Sequence, residues 1–147
     1  MRDASSVRRR LDEVAYARSL RPRRAIVAES DSRLRRFLVA WLLDFGWEVR
    51  EAESAAELRA QLVEAVIDQE VPDLIVTELH TSDGGALEVL ADLSETPLSI
   101  LVVAIMQDRS LETMRLARRH GVSSVISKPF DLRTFGELLR SIAQHVD

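Results

Sequence analysis

The chain has no cysteine, which excludes disulfides and thiolate chemistry and is compatible with a reducing interior. It has no apolar run approaching the roughly 18 residues a membrane span needs. Its first 25 residues are crowded with charge and lack the apolar centre of a secretion signal. A cytoplasmic protein without membrane insertion is expected. Repeats and low-complexity segments are absent, as are a glycine-rich phosphate loop and a zinc-ligand cluster; His80, His120 and His145 share no site on this reading. A metabolic enzyme is disfavoured on those grounds. Lysine is scarce as well: of 20 basic residues 19 are arginine, and Lys128 stands alone.

What is there fits one globular domain. The 147 residues suffice to bury a substantial core, and the 46% hydrophobic and 30% charged fractions are those of a soluble protein. The net charge of −4 is unevenly spread: residues 1–24 carry +5 and the remainder −9. An acidic body makes nucleic acid an unlikely partner over most of the chain. With Asp147 straight after the last expected helix, no DNA-binding effector domain is expected.

Ser5 or Ser6 can cap a helix with Val7, Leu11, Val14 and Ala15 on one narrow stripe, followed by a linker at Arg21–Arg24. Residues 1–24 therefore read as an appended helix or tail, and 25–147 as the domain proper. The Arg8–Arg10 run reads as a solvated face. Ala25–Ala28 is a buried-strand run; Ser30 or Asp31 caps a helix from Ser32 to Phe45 that closes at Gly46. Its expected inner face is Leu34, Phe37, Leu38, Trp41, Leu42 and Phe45. With Val39 and Leu43 roughly opposite, the outer side needs a cover, either the N-terminal helix or a second subunit in a homodimer.

Trp47–Ala52 alternates like a half-exposed strand, and a helix from Ser54 to about Gln69 turns Leu58, Leu62, Val63 and Val66 inward. Strands are expected at 73–77, 99–105 and 122–127, with helices at 86–93, 110–120 and after Asp131, whose inward residues are Phe135, Leu138, Leu139 and Ile142. Five strands alternating with helices predict an α/β fold: a doubly wound five-stranded parallel sheet with an extra N-terminal helix.

In such a sheet, chemistry gathers at the carboxyl ends of the strands. Pro72-Asp73-Leu74-Ile75-Val76-Thr77-Glu78 ends there on a lone carboxylate, Glu29-Ser30 follow the first strand, and Lys128 follows the fifth. After the fourth stand Ala104, Ile105 and Met106 in place of a hydroxyl. In the order 2-1-3-4-5 these ends converge, and a chain that spends its one lysine there wants a compact ammonium.

These blocks, in this order and spacing, make residues 25–145 resemble the receiver domain of bacterial two-component response regulators. The pieces that carry the resemblance are Ile26-Val27-Ala28-Glu29-Ser30-Asp31, Gly46 through Ala52, Pro72 through Glu78, and Gly121 through Lys128-Pro129-Phe130. The family implies a phosphorylation switch: an acidic pair holding Mg²⁺, an acceptor Asp, a sensing Thr or Ser, and a Lys that pairs with the phosphate. Glu29 and Lys128 match. Ser30 replaces the second acid, Glu78 stands at the acceptor position, the hydroxyl is missing (Ala104 the preferred match, Met106 the alternative), and the loop after Glu78 is about one residue short.

The departures predict a degenerate receiver. Glu78 carries its carboxylate about 1.5 Å further than Asp would, one carbon–carbon bond, which spoils in-line geometry for phosphoryl transfer. Ser30 removes a charge from a hard-cation site. The expectation is a permanent Glu78–Lys128 ion pair and no cofactor, or in the alternative a weakly held Mg²⁺ on Glu29 and Glu78, whose mutual repulsion raises one carboxyl pKa unless Lys128 or a metal offsets it. The output would be protein–protein contact across Arg115, Arg118, Arg119 and Phe130, with a histidine kinase or another signalling protein as partner. The alternative function is a working receiver, phosphorylated by a histidine kinase with Mg²⁺. His80, in the loop beside Glu78, reads as a surface residue.

Overall fold

The computed structural model describes residues 4–80, 85–107 and 110–143. Residues 81–84 of the loop after Glu78, and His145, lie outside the described residues.

The elements follow in strict alternation: α1 (Ala4–Leu20), β1 (Arg24–Ala28), α2 (Ser32–Asp44), β2 (Glu48–Ala52), α3 (Ala55–Ile67), β3 (Leu74–Glu78), α4 (Ala86–Ser94), β4 (Leu101–Met106), α5 (Leu111–Arg119), β5 (Ser124–Ser127) and α6 (Leu132–Ala143). The strands form one parallel sheet in the order β2-β1-β3-β4-β5, as the sequence predicts. β4 and β5 each begin two residues later than expected.

Each strand feeds two cores because successive side chains point to opposite faces. Ile26, Ala28, Ile75, Val102 and Ala104 pack beneath α3, α4 and α5. Ala25, Val27, Leu74, Val76, Val103, Ile105 and Ile126 pack against Leu38 and Leu42 of α2 and Phe135, Leu139 and Ile142 of α6. β3, at the centre, is buried at all five positions, the signature of a strand covered on both faces.

The helix starts are set by side-chain caps. Asp31 accepts from the amides of Arg33 and Leu34, Ser54 from Glu57, and Ser110 from Thr113, each satisfying a donor that the first turn leaves unpaired. Gly46 and Gly121 follow α2 and α5 with φ of +87° and +84°, the left-handed closure that glycine adopts without strain.

Two expected inner faces are corrected. On α2, Phe37 and Phe45 flank the buried stripe and remain exposed, while Arg35 occupies a core-facing position. Trp41 stacks on Phe45 with ring centroids 4.2 Å apart and meets Phe135 edge-on; α6 comes close enough there that a Cβ on Gly136 would lie 3.0 Å from the Trp41 ring. On α3, Ala65 takes the inward place assigned to Val63 and Val66, which are exposed with Ile67. Leu43, on the outer side of α2, is exposed, as is every α1 residue from Ala4 to Glu13.

Candidate functional site

The same alternation that builds the α2–α6 core delivers the site. Ala25 and Val27 lead to Glu29, Leu74 and Val76 to Glu78, and Ile126 to Lys128, all on one face of the sheet at its carboxyl edge. Ile105 pairs in register with Glu78 and lines the crevice. Lys128 is held by its own amide, which donates to the Met106 carbonyl at 2.7 Å, and its bond to Pro129 is cis. The Glu78 carbonyl accepts from the Thr77 hydroxyl at 2.9 Å.

Glu29, Glu78 and Lys128 are brought together, with a different division of partners from the one expected. The Lys128 Nζ lies 2.6 Å from Glu29 Oε1 and 3.8 Å from Glu78 Oε2. Glu29, the fully buried acid, therefore takes the ammonium. Its Oε1 accepts no other hydrogen bond among the described residues, and its Oε2 receives the Asp31 amide at 3.3 Å. Glu78, 6% exposed, is secured by the Ser30 amide, which donates to Oε1 at 2.8 Å. Ser30 thus contributes its backbone, a role the residue type does not announce.

Burial pushes the Glu29 carboxyl above its usual range; the hydrogen bond and charge of neighbouring Glu78 push it further, and Lys128 opposes both. The mutual repulsion expected of the two carboxylates is expressed on Glu29.

Over these groups opens a cleft of 390 Å³, to which Asp31, His80 and Gln107 also contribute. His80 is exposed at its rim. Ala104 and Met106 are not brought into the site: both are buried on the opposite face of the sheet, in the core beneath α3 and α4. Ile105 of β4 and Gln107 just after the strand face the crevice, and neither presents a hydroxyl.

Arg35 was missed by reading the sequence. Its Nη1 donates to the Glu29 carbonyl at 2.7 Å, and its other nitrogens reach Glu51 at 3.3 Å and Glu53 at 3.1 Å. A buried arginine on α2 thereby fixes the backbone that presents Glu29. No sequence signal separates it from its solvated neighbours Arg33 and Arg36.

The side chains present fit Mg²⁺ poorly. One of the two carboxylates is committed to Lys128, one oxygen of the other accepts from Ser30, and Asp31 spends Oδ1 capping α2. Mg²⁺ asks for near-octahedral oxygen ligation with little competing positive charge.

Residues 25–140 match the response regulator receiver domain. The chain belongs to that family, whose members are signalling modules of two-component systems. It is 26% identical over 114 residues to the transcriptional regulatory protein GlrR of Escherichia coli K12, and equally to QseF of Escherichia coli O157:H7. Those matches cover 77% of this chain and 24% of each relative; the chain spans about a quarter of the length of the curated relatives it matches. Among solved structures, a CheY-like receiver domain protein from Methanospirillum hungatei superposes with a TM-score of 0.71 at 22% identity, covering 86% of this chain and 95% of that one. The signal receiver domain of an HD domain-containing protein from Pseudomonas fluorescens gives 0.72 at 21% identity, covering 85% and 97%. At such identities the likeness speaks for the fold, and the fold agrees with the family. No helix among the described residues is long and apolar enough to cross a membrane.

Proposed function

We propose that this receiver works as a phosphorylation-independent signalling module, its pocket held in one arrangement by its own side chains. The observation that carries the reading is the engagement of Glu78. At the acceptor position its carboxylate is nearly buried, one oxygen accepting from the Ser30 amide and the other facing the Lys128 ammonium. In-line attack on a phosphodonor needs a free, correctly placed oxygen. Here the longer side chain has moved its charge towards the place a phosphoryl group would occupy, and the cation meant for phosphate is taken by Glu29.

Output is by protein–protein contact. The surface that suits it lies on α5 and along β5, where Arg115, Arg118 and Arg119 are exposed with Leu111 and Leu116, and an open cleft of 660 Å³ runs past Val125, Pro129 and Phe130. Phe130 itself is half-buried against Phe135.

The test is intact-mass analysis after incubation with millimolar acetyl phosphate and Mg²⁺. No phosphoryl mass gain is expected. A gain localised to Glu78 overturns the reading in favour of a working receiver served by a histidine kinase.

A further inference from the structure

Two helices carry apolar stripes that the chain itself leaves bare. On the outer side of α3, Ala60, Val63 and Ile67 recur at steps of three and four residues, with Val63 53% and Ile67 73% exposed. On α1, Ala4, Val7 and Leu11 recur at the same steps, with Val7 47% and Leu11 65% exposed, and the sequence continues the pattern to Val14. Alternating steps of three and four make the seam along which two helices pack side by side. Large apolar side chains lined up in water on two surfaces of one small domain call for cover.

We propose that α1 of one chain packs along the outer face of α3 of a second copy, and the reverse, giving a two-fold homodimer. Charge selects this pairing. On a helical projection Arg8 and Arg10 fall on either side of the α1 stripe, so two α1 helices laid together would oppose arginine to arginine. Beside the α3 stripe stand Glu57 and Glu64, both exposed; Glu64 shares Arg50 with Asp68 and Glu70, so that edge stays net negative, while Arg59 on the other flank is neutralised by Asp92 at 2.7 Å. A basic-edged seam meets an acidic-edged one.

Within one chain the two stripes stay apart. Arg21 Nη2 lies 3.2 Å from Asp73 Oδ1, and the Arg24 amide donates to Asp73 Oδ2 at 2.9 Å, tying the segment after α1 to the start of β3. The exchange is reciprocal and leaves no stripe open, so it closes at two copies. The surface is separate from the acceptor pocket, and the proposal stands or falls without it.

Sedimentation equilibrium of the full chain tests this. A dimer is expected, and Leu11→Glu or Ile67→Glu should each raise its dissociation constant about tenfold or more, as loss of a central apolar anchor does. Leu43→Glu, on the exposed side of α2, should leave it unchanged. Arg8→Glu with Arg10→Glu should weaken association, and adding Glu57→Arg and Glu64→Arg should restore it. Because the chain lacks cysteine, Leu11→Cys and Ile67→Cys can be made separately, mixed and treated with a short bismaleimide; a covalent pair of the two different variants is expected. A monomer at all concentrations, or a dimer indifferent to Ile67→Glu, overturns the proposal. So does cross-linking seen only within a single chain carrying both cysteines, which would mean α1 folds onto its own α3.

Discussion

The ammonium of Lys128 stands 2.6 Å from Glu29 and 3.8 Å from Glu78, so the one lysine of the chain serves chiefly the carboxylate after the first strand. This relation makes the pocket a three-membered charge cluster with two anions, one cation and two backbone amides. Two buried carboxylates sharing one ammonium are tolerable only while each lone pair finds a donor.

Removing the cation should therefore cost more than a surface ion pair would. Lys128→Met leaves Glu29 fully buried with an uncompensated charge, and about 3 kcal/mol of stability should be lost near neutrality, in the range found when a buried pair loses one partner. Urea unfolding at neutral pH and again in mild acid checks this. The loss should shrink in acid, where Glu29 binds a proton. A loss independent of pH would contradict the charge account.

The same carboxyl gives a pH signature in the unaltered protein. Its folded-state pKa is raised above the ordinary 4.5, first by burial and then by Glu78. A raised pKa means that the folded state binds the proton more tightly, so the stability contributed is present below the unfolded value and lost as pH rises through the folded one. Wild type should thus lose ground to Glu29→Gln as pH climbs from 4.5 towards neutrality. Asp131 behaves oppositely: hydrogen bonds from Thr134 lower its pKa below the ordinary 3.8, so its contribution is lost only in stronger acid. The interval above 4.5 isolates Glu29, and a flat difference there would exclude the assignment.

Arg35 should matter through its inner contact. Arg35→Met strips the donor from the Glu29 carbonyl and should cost about 2 kcal/mol, the penalty of an unsatisfied buried acceptor. Glu51→Gln and Glu53→Gln touch only the outer, exposed partners and should each cost under about 1 kcal/mol. Chemical denaturation of the three variants decides between the contacts; equal effects would mean that the arginine acts through its surface ion pairs.

If reach and anion count disable the pocket, restoring both should revive it. Glu78→Asp with Ser30→Asp shortens the acceptor and returns a second acid to the cation site. The double variant is expected to gain a phosphoryl group from acetyl phosphate with Mg²⁺, whereas Glu78→Asp alone should gain little. Inertness of the double variant would place the block elsewhere, with Ile105 beside the acceptor the first residue to change.

Much of this was readable beforehand. Buried strands announced themselves as branched apolar runs, and Ser30 or Asp31, Ser54 and Ser110 marked helix starts, so element order and sheet topology followed. Glu29, Glu78 and Lys128 were legible because each stands at or just past the end of a strand. What failed was parity: Leu101 to Met106 is apolar on both faces, so nothing in the run says which residues point at the crevice, and Ala104 was chosen where Ile105 sits. Arg35 hid among arginines, since its burial depends on a carbonyl at the end of another element. Which acid Lys128 prefers depends on ångström differences in reach, and no spacing rule carries those.

The central claim is that Glu78 and Lys128 are already engaged within the pocket, by the Ser30 amide and by Glu29, so that no phosphoryl group is taken up. It is tested most directly by adding Mg²⁺ and beryllofluoride, a phosphoryl mimic, to the wild-type protein and solving its crystal structure. The account predicts Glu78 still bonded to the Ser30 amide, Lys128 still on Glu29, and no beryllium at position 78. Trifluoroberyllate bound to Glu78 beside an octahedral Mg²⁺ would contradict it.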